Sequence, residues 1–175
     1  NYTSLVSLVL KSSCDTLASF PLNCFTTLQR LTIDNCRSLE SIFISETSSS
    51  LSTLQSLSVG GCEALTSLPQ GMDTLTALEY IRLFNLPKLE LSFCDGGLPP
   101  SLQYILVDFV RITKPVTEWG LQRLTALLGL SIEGDDIVNE LLKERMLPIS
   151  LVGLTIKRDS KTKSLEGNGL RHLSS

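Results

Sequence analysis

An α/β solenoid, with a parallel sheet on one face and irregular segments behind it, is the fold class this sequence predicts. Two observations carry that expectation. The phrase Leu-x-x-Leu-x-Leu recurs seven times, read at its first, fourth and sixth positions. The copies are Leu5/Leu8/Leu10, Leu28/Leu31/Ile33, Leu54/Leu57/Val59, Leu78/Ile81/Leu83, Leu102/Ile105/Val107, Leu127/Leu130/Ile132 and Leu151/Leu154/Ile156. Their first positions are separated by 23, 26, 24, 24, 25 and 24 residues. A fixed period in the twenties, with leucine setting the beat, is the mark of a leucine-rich-repeat solenoid. The second observation is composition. Leucine fills about one position in five, and leucine side chains are chiefly a requirement of a buried interior.

Within each copy the first, fourth and sixth positions point inward while the intervening residues face out, which is the alternation of a strand. A strand this short buries its face only against its neighbours, so the repeats, about seven of them, hold only as a stack. With strands about 4.8 Å apart, six steps give a concave sheet face roughly 29 Å long, a length that suits a protein ligand better than a metabolite. Cys36 and Cys62 each lie eight residues after the first leucine of their repeats. In that slot the side chain is expected to turn inward and bond the loop backbone, so a buried thiol is expected. Cys14 sits one residue later in its own repeat. An odd count of five cysteines (the others are Cys24 and Cys94), with this placement on the ladder, favours a reducing, cytoplasmic home over a disulfide framework.

The second half of each repeat should form the convex side from irregular, 3-10 and short helical segments. Its apolar pegs are Leu17/Phe20/Pro21, Leu39/Ile42 and Leu65/Leu68/Pro69, followed by Gly71 and Met72. Leu98-Pro99-Pro100-Ser101 and Leu147-Pro148-Ile149-Ser150 are nearly one phrase, in which proline stops a helix and leads into the next strand. Residues 45–53 form a polar stretch that lengthens the second repeat, read as a solvated convex loop. From Asp135 to Leu147, two capping acids and the pairs Ile137/Leu141 and Val138/Leu142 predict an amphipathic helix of two to three turns.

The 175 residues suit one domain, 1–175, cut from a longer solenoid. A formal charge of −3 without a basic stripe argues against nucleic acid, and the short apolar runs argue against a membrane span. No signal peptide is visible at residue 1. Catalysis finds no footing, so the chain reads as a non-enzyme. His172 has no orienting acid at recognisable spacing, Cys94-Asp95 has no activating base, and neither a metal set nor a cofactor motif occurs. Neither end shows a polar cap, which predicts self-association of the isolated chain through exposed end faces.

With the repeats laid out, a family resemblance is specific. Leu-x-x-Leu-x-Ile-x-x-Cys-x-x-Leu-x-x-Ile (Leu28 to Ile42) and Leu-x-x-Leu-x-Val-x-x-Cys-x-x-Leu-x-x-Leu-Pro (Leu54 to Pro69) resemble the C-terminal repeats of plant coiled-coil-class nucleotide-binding leucine-rich-repeat resistance proteins. Gly97 to Leu102 and Trp119 to Leu127 are similar to linkers between those repeats. The resemblance implies a module of an intracellular immune receptor that senses a pathogen effector or a modified host protein. It also implies contact with a nucleotide-binding region that holds the receptor inactive. No Gly-x-x-x-x-Gly-Lys-Ser/Thr loop occurs, so that region is not in this piece. The Cys slot holds Leu86, Val110, Asp135 and Asp159 in the last four repeats, whose loops must satisfy the backbone differently. Two alternatives are an F-box-type ubiquitin-ligase adaptor and the ectodomain of a cell-surface receptor. The first would continue with Ile-Thr-Asp-x-Gly-Leu. The second would show Gly-x-Ile-Pro turns and more sequons than Asn1-Tyr2-Thr3.

The outward strand positions carry four basic residues (Lys11, Arg30, Arg82, Lys157) and three acidic ones (Asp34, Asp108, Glu133). Bulk charge therefore does not select the partner. Size does: Tyr80, Phe84, Tyr104 and Leu106 cluster around Arg82, with Asp108 beside them and Arg30 and Asp34 as a lesser flank. Aromatics beside an arginine are typical of interface hot spots. The bland reading is that Tyr80 and Tyr104 stack as cross-strand neighbours. Trp119, the sole tryptophan, lies in a linker phrase and reads as packing rather than as an anchor.

Overall fold

A computed structural model describes residues 4–12, 16–44, 53–91, 93, 97–113, 115–133, 141 and 146–157. The seven signatures become seven parallel strands: β1 (Ser7–Lys11), β3 (Arg30–Asp34), β5 (Ser56–Gly60), β6 (Tyr80–Leu91), β7 (Tyr104–Ile112), β8 (Gly129–Glu133) and β9 (Gly153–Lys157). They pair strictly in chain order within one sheet. Register follows the repeat: Leu8, Leu31, Leu57, Ile81, Ile105, Leu130 and Leu154 form one inward row. Leu10, Ile33, Val59, Leu83, Val107, Ile132 and Ile156 form the next. The first leucines join the same continuous core, and from Leu28 to Leu127 they are buried. Burial is complete in the middle rungs and partial in β1 and β9, the outermost strands, because each rung relies on both neighbours.

Two further rows tie the rungs together. The carbonyl of the second signature residue accepts two amides of the following rung, as Gln55 O does from the N–H groups of Glu79 and Tyr80. The hydroxyl just before a signature's first leucine donates back to the first-leucine carbonyl of the preceding rung. Thr27 does so to Leu5 (3.0 Å), Thr53 to Leu28 (3.1 Å), Ser101 to Leu78 (2.8 Å) and Ser150 to Leu127 (2.9 Å).

The convex side is more regular than expected in its early repeats. Ser19–Pro21 (β2) and Ser41–Phe43 (β4) pair as a second parallel sheet, and Ser41 bridges on to Ser67. The pegs Phe20, Leu39, Ile42 and Leu65 are buried beneath it. Later segments are 3-10 turns at Met72–Thr74, Val116–Trp119 and Leu121–Arg123, with an earlier one at Leu22–Cys24. The two Leu-Pro phrases make the same turn: Leu102 N–H donates to Pro99 O and Leu151 N–H to Pro148 O. Trp119 is fully buried, edge-on to Phe93 with ring centroids 4.9 Å apart. The polar stretch lies outside the described residues except for Thr53. Of the 135–147 segment expected to be helical, Leu141 is helical and buried, Met146 and Leu147 are not helical, and the rest lies outside the described residues.

The cysteine slots behave as their chemistry requires. Cys36 and Cys62 are fully buried thiols, and Cys62 Sγ donates to Gly60 O at 3.3 Å. Where Leu86 and Val110 occupy the slot, the chain does not turn in. The two residues pair with each other, and β6 and β7 run on to Leu91 and Ile112 with an irregularity after Leu86. The ladder itself supplies the backbone partners that a polar slot residue supplies elsewhere.

Candidate protein-binding face

The outward residues of the seven strands stand in three columns set by the register. Ser7, Arg30, Ser56, Tyr80, Tyr104, Gly129 and Gly153 form the first. Val9, Thr32, Ser58, Arg82, Leu106, Ser131 and Thr155 form the second. The third runs through Lys11, Asp34, Gly60, Phe84 and Asp108, and Glu133 pairs with Lys157 beyond it. Tyr80, Arg82 and Phe84 on β6 therefore lie beside Tyr104, Leu106 and Asp108 on β7. Arg30 and Asp34 sit on β3, with all of β5 between them and the cluster.

The aromatic rings lie down, and neighbouring glycines make room for them. Phe84 covers Gly60 on β5 so closely that a β-carbon at Gly60 would lie 2.0 Å from Cζ of the ring. Tyr104 leans the other way, over Gly129 on β8, where an added β-carbon would meet Cδ1 at 2.7 Å. Tyr80 and Tyr104 are register partners, yet Tyr104 turns its ring toward β8. Above Phe84 lies Arg82, its guanidinium carbon 4.6 Å from the ring centroid, the range of a cation–π contact. Arg82 and Tyr104 are exposed; Tyr80, Phe84 and Leu106 are half-buried.

Asp108 departs from its expected role. Read as an outward contact, it is buried, with 8% of its surface accessible, and its Oδ2 accepts from Lys157 Nζ at 2.8 Å. Lys157, two rungs on, reaches back across β8, so this carboxylate is committed within the fold. Removing that pair leaves Arg82 as the one charge among the clustered side chains.

One feature at the rim escaped the sequence reading. The residue that follows the fifth strand position takes a left-handed backbone in five successive repeats: Ser12, Asn35, Gly61, Asn85 and Phe109, with φ between 47° and 62°. Glycine and asparagine suit that region, whereas phenylalanine is strained in it. Ser12, Asn35 and Gly61 donate their N–H groups to backbone carbonyls of the next rung. Phe109 N–H donates instead to the Glu133 carboxylate at 2.8 Å, and 69% of Phe109 is exposed. Aligning the repeats at their eighth position would have shown the odd residue. The glycine seats were legible too, as small residues one rung from an aromatic in the same column.

Among the described residues, no helix is long and apolar enough to cross a membrane. Residues 2–93 match the family described as Plant disease resistance protein RPS2-like, leucine-rich repeats. The disease resistance protein At3g14460 of Arabidopsis thaliana is 29% identical over 195 aligned positions, covering 97% of this chain and 14% of that protein. The disease resistance RPP13-like protein 1 of the same plant is 39% identical over 90 positions, 47% of this chain and 8% of its own length. The chain thus spans a small fraction of these relatives. No solved structure matches it. With the family pattern running through more than half of the residues and the repeats stacked as one parallel ladder, the chain belongs to the leucine-rich-repeat family of RPS2-like plant disease resistance proteins.

Proposed function

We propose that this chain is the protein-recognition surface of an intracellular plant immune receptor. It engages a pathogen effector or modified host protein through Tyr80, Arg82, Phe84, Tyr104 and Leu106. The observation that carries this reading is the seated cluster: large side chains, partly exposed, lying on a sheet locked by register. Such side chains lose little freedom on binding and offer large contact area, which is what a hot spot needs. The buried cysteines Cys36 and Cys62, set on the repeat ladder, fit a reducing, cytoplasmic setting. In the resting receptor the same solenoid contacts the nucleotide-binding region and contributes to autoinhibition, as the resemblance to nucleotide-binding leucine-rich-repeat resistance proteins implies. Arg30 and Asp34 form an outer flank of the contact.

The test is the triple substitution Tyr80→Ala, Arg82→Ala, Tyr104→Ala in the full-length receptor, with binding of its protein ligand measured against the parent. Binding should fall by at least about 100-fold, since hot-spot truncations cost about 2 kcal/mol or more each. The circular dichroism of the repeat region should not change. Unaltered affinity with an intact fold overturns this placement.

A further inference from the structure

Within the middle column of the sheet face, Val9, Thr32, Ser58, Leu106, Ser131 and Thr155 are uncharged, and Arg82 is the one charge. Its flanking register partners are Ser58 and Leu106. Asp108, the nearest outward acid in register, is held by Lys157. Among the described residues Arg82 has no ion pair, and its recorded contact is the ring of Phe84 beneath it. That ring is itself fixed, because it lies on the backbone of Gly60. Glycine, ring and guanidinium make a three-storey stack that holds a cation in one place without neutralising it.

A guanidinium resting on an aromatic face keeps its N–H edge available for acceptors in its own plane. That fork matches the two oxygens of a carboxylate. A flexible arginine would lose side-chain entropy on forming this pair; a stacked one has already lost much of it. We infer that Arg82 is a preformed receptor for an acidic side chain, so the protein ligand presents an aspartate or glutamate to the Phe84–Arg82 stack. This inference rests on the proposed use of the sheet face for protein recognition, and it adds the chemistry of the partner. A basic or purely apolar partner surface would leave Arg82 desolvated and unpaired at the centre of the contact, which is costly.

The experiment needs no identified partner, so its outcome is separate from that of the ligand-binding test above. The Nε–Hε resonance of Arg82 in the chain, assigned by its loss in Arg82→Lys, is followed by NMR. N-acetyl-glutamate amide, N-acetyl-glutamine amide and N-acetyl-glycine are each titrated. The expected result is a saturable shift with the glutamate compound, none with the glutamine compound, and a weaker response at Arg30. In Phe84→Leu the affinity should drop about 2- to 5-fold, the worth of the cation–π support. Gly60→Ala should give the same loss by lifting the ring, and one-dimensional spectra of both variants check that they fold. Equal binding in the parent and in both folded variants overturns the stack. A response at Arg82 no larger than at Arg30 overturns the site, and tighter binding of N-acetyl-glycine overturns the assignment to a side chain in favour of a chain terminus.

Discussion

Phe109 is the residue whose conformation and chemistry disagree most. A bulky side chain in the left-handed region costs of order 1 kcal/mol, and here an exposed ring recovers little of that by burial. Phe109→Asn installs the residue that the preceding rung already uses at Asn85. Urea unfolding should show it more stable by about 0.5–1 kcal/mol. A destabilised variant would mean that the ring packs on something in the native state. The opposite sign is expected at Lys157. Removing its ammonium leaves the buried Asp108 carboxylate, whose Oδ1 already lacks a partner among the described residues, without its ion pair. Lys157→Met should cost about 1–2 kcal/mol in the same assay, discounted because Lys157 is half exposed.

Among the described residues, five of the seven strands of the large sheet are only five residues long, too short to persist alone, so the links between rungs carry the architecture. The Ser/Thr hydroxyl row is one such link. Ser101→Ala should cost roughly 1 kcal/mol, the net worth of one hydrogen bond. Ala77 and Ala126 stand at the same repeat position in rungs that go without it. The loss should therefore appear as lower stability with an unchanged sheet signal in circular dichroism. The extended β6–β7 pair shows the alternative solution. Where the slot residue is apolar, continued pairing replaces a side-chain bond to the turn.

Across the whole molecule, the core is one continuous run of inward leucines, so the cost of a cavity depends on which rung holds it. Ile81 is fully buried with paired rungs on both sides, whereas Leu8 on the outermost β1 is only partly buried. Ile81→Ala should cost about 2–5 kcal/mol and Leu8→Ala distinctly less, read as unfolding midpoints. A similar cost at the two positions would mean that stability is not passed between rungs. Cys36 and Cys62 report the same coupling chemically. Both thiols are fully buried, and a thiol reagent should modify them only as the ladder opens, at a rate that rises with urea.

The number of rungs, their inward rows and the three outward columns follow from the sequence alone. The period of the leucines leaves one parallel register that buries every signature residue, and a slip by one would turn all of them to water. The buried Cys36 and Cys62 follow from the same count. Other features depend on contacts between repeats, which no single repeat encodes. Asp108 occupies an outward position by pattern, yet Lys157, 49 residues away, draws its carboxylate into the fold. Phe20 and Ile42 read as loose pegs until stacking makes their segments a second sheet. The directions of the Phe84 and Tyr104 rings are decided by the neighbouring rungs, because each lies down over a glycine of the adjacent strand. That local absence of a side chain, set by the tertiary stacking, is what turns an ordinary outward arginine into a fixed one.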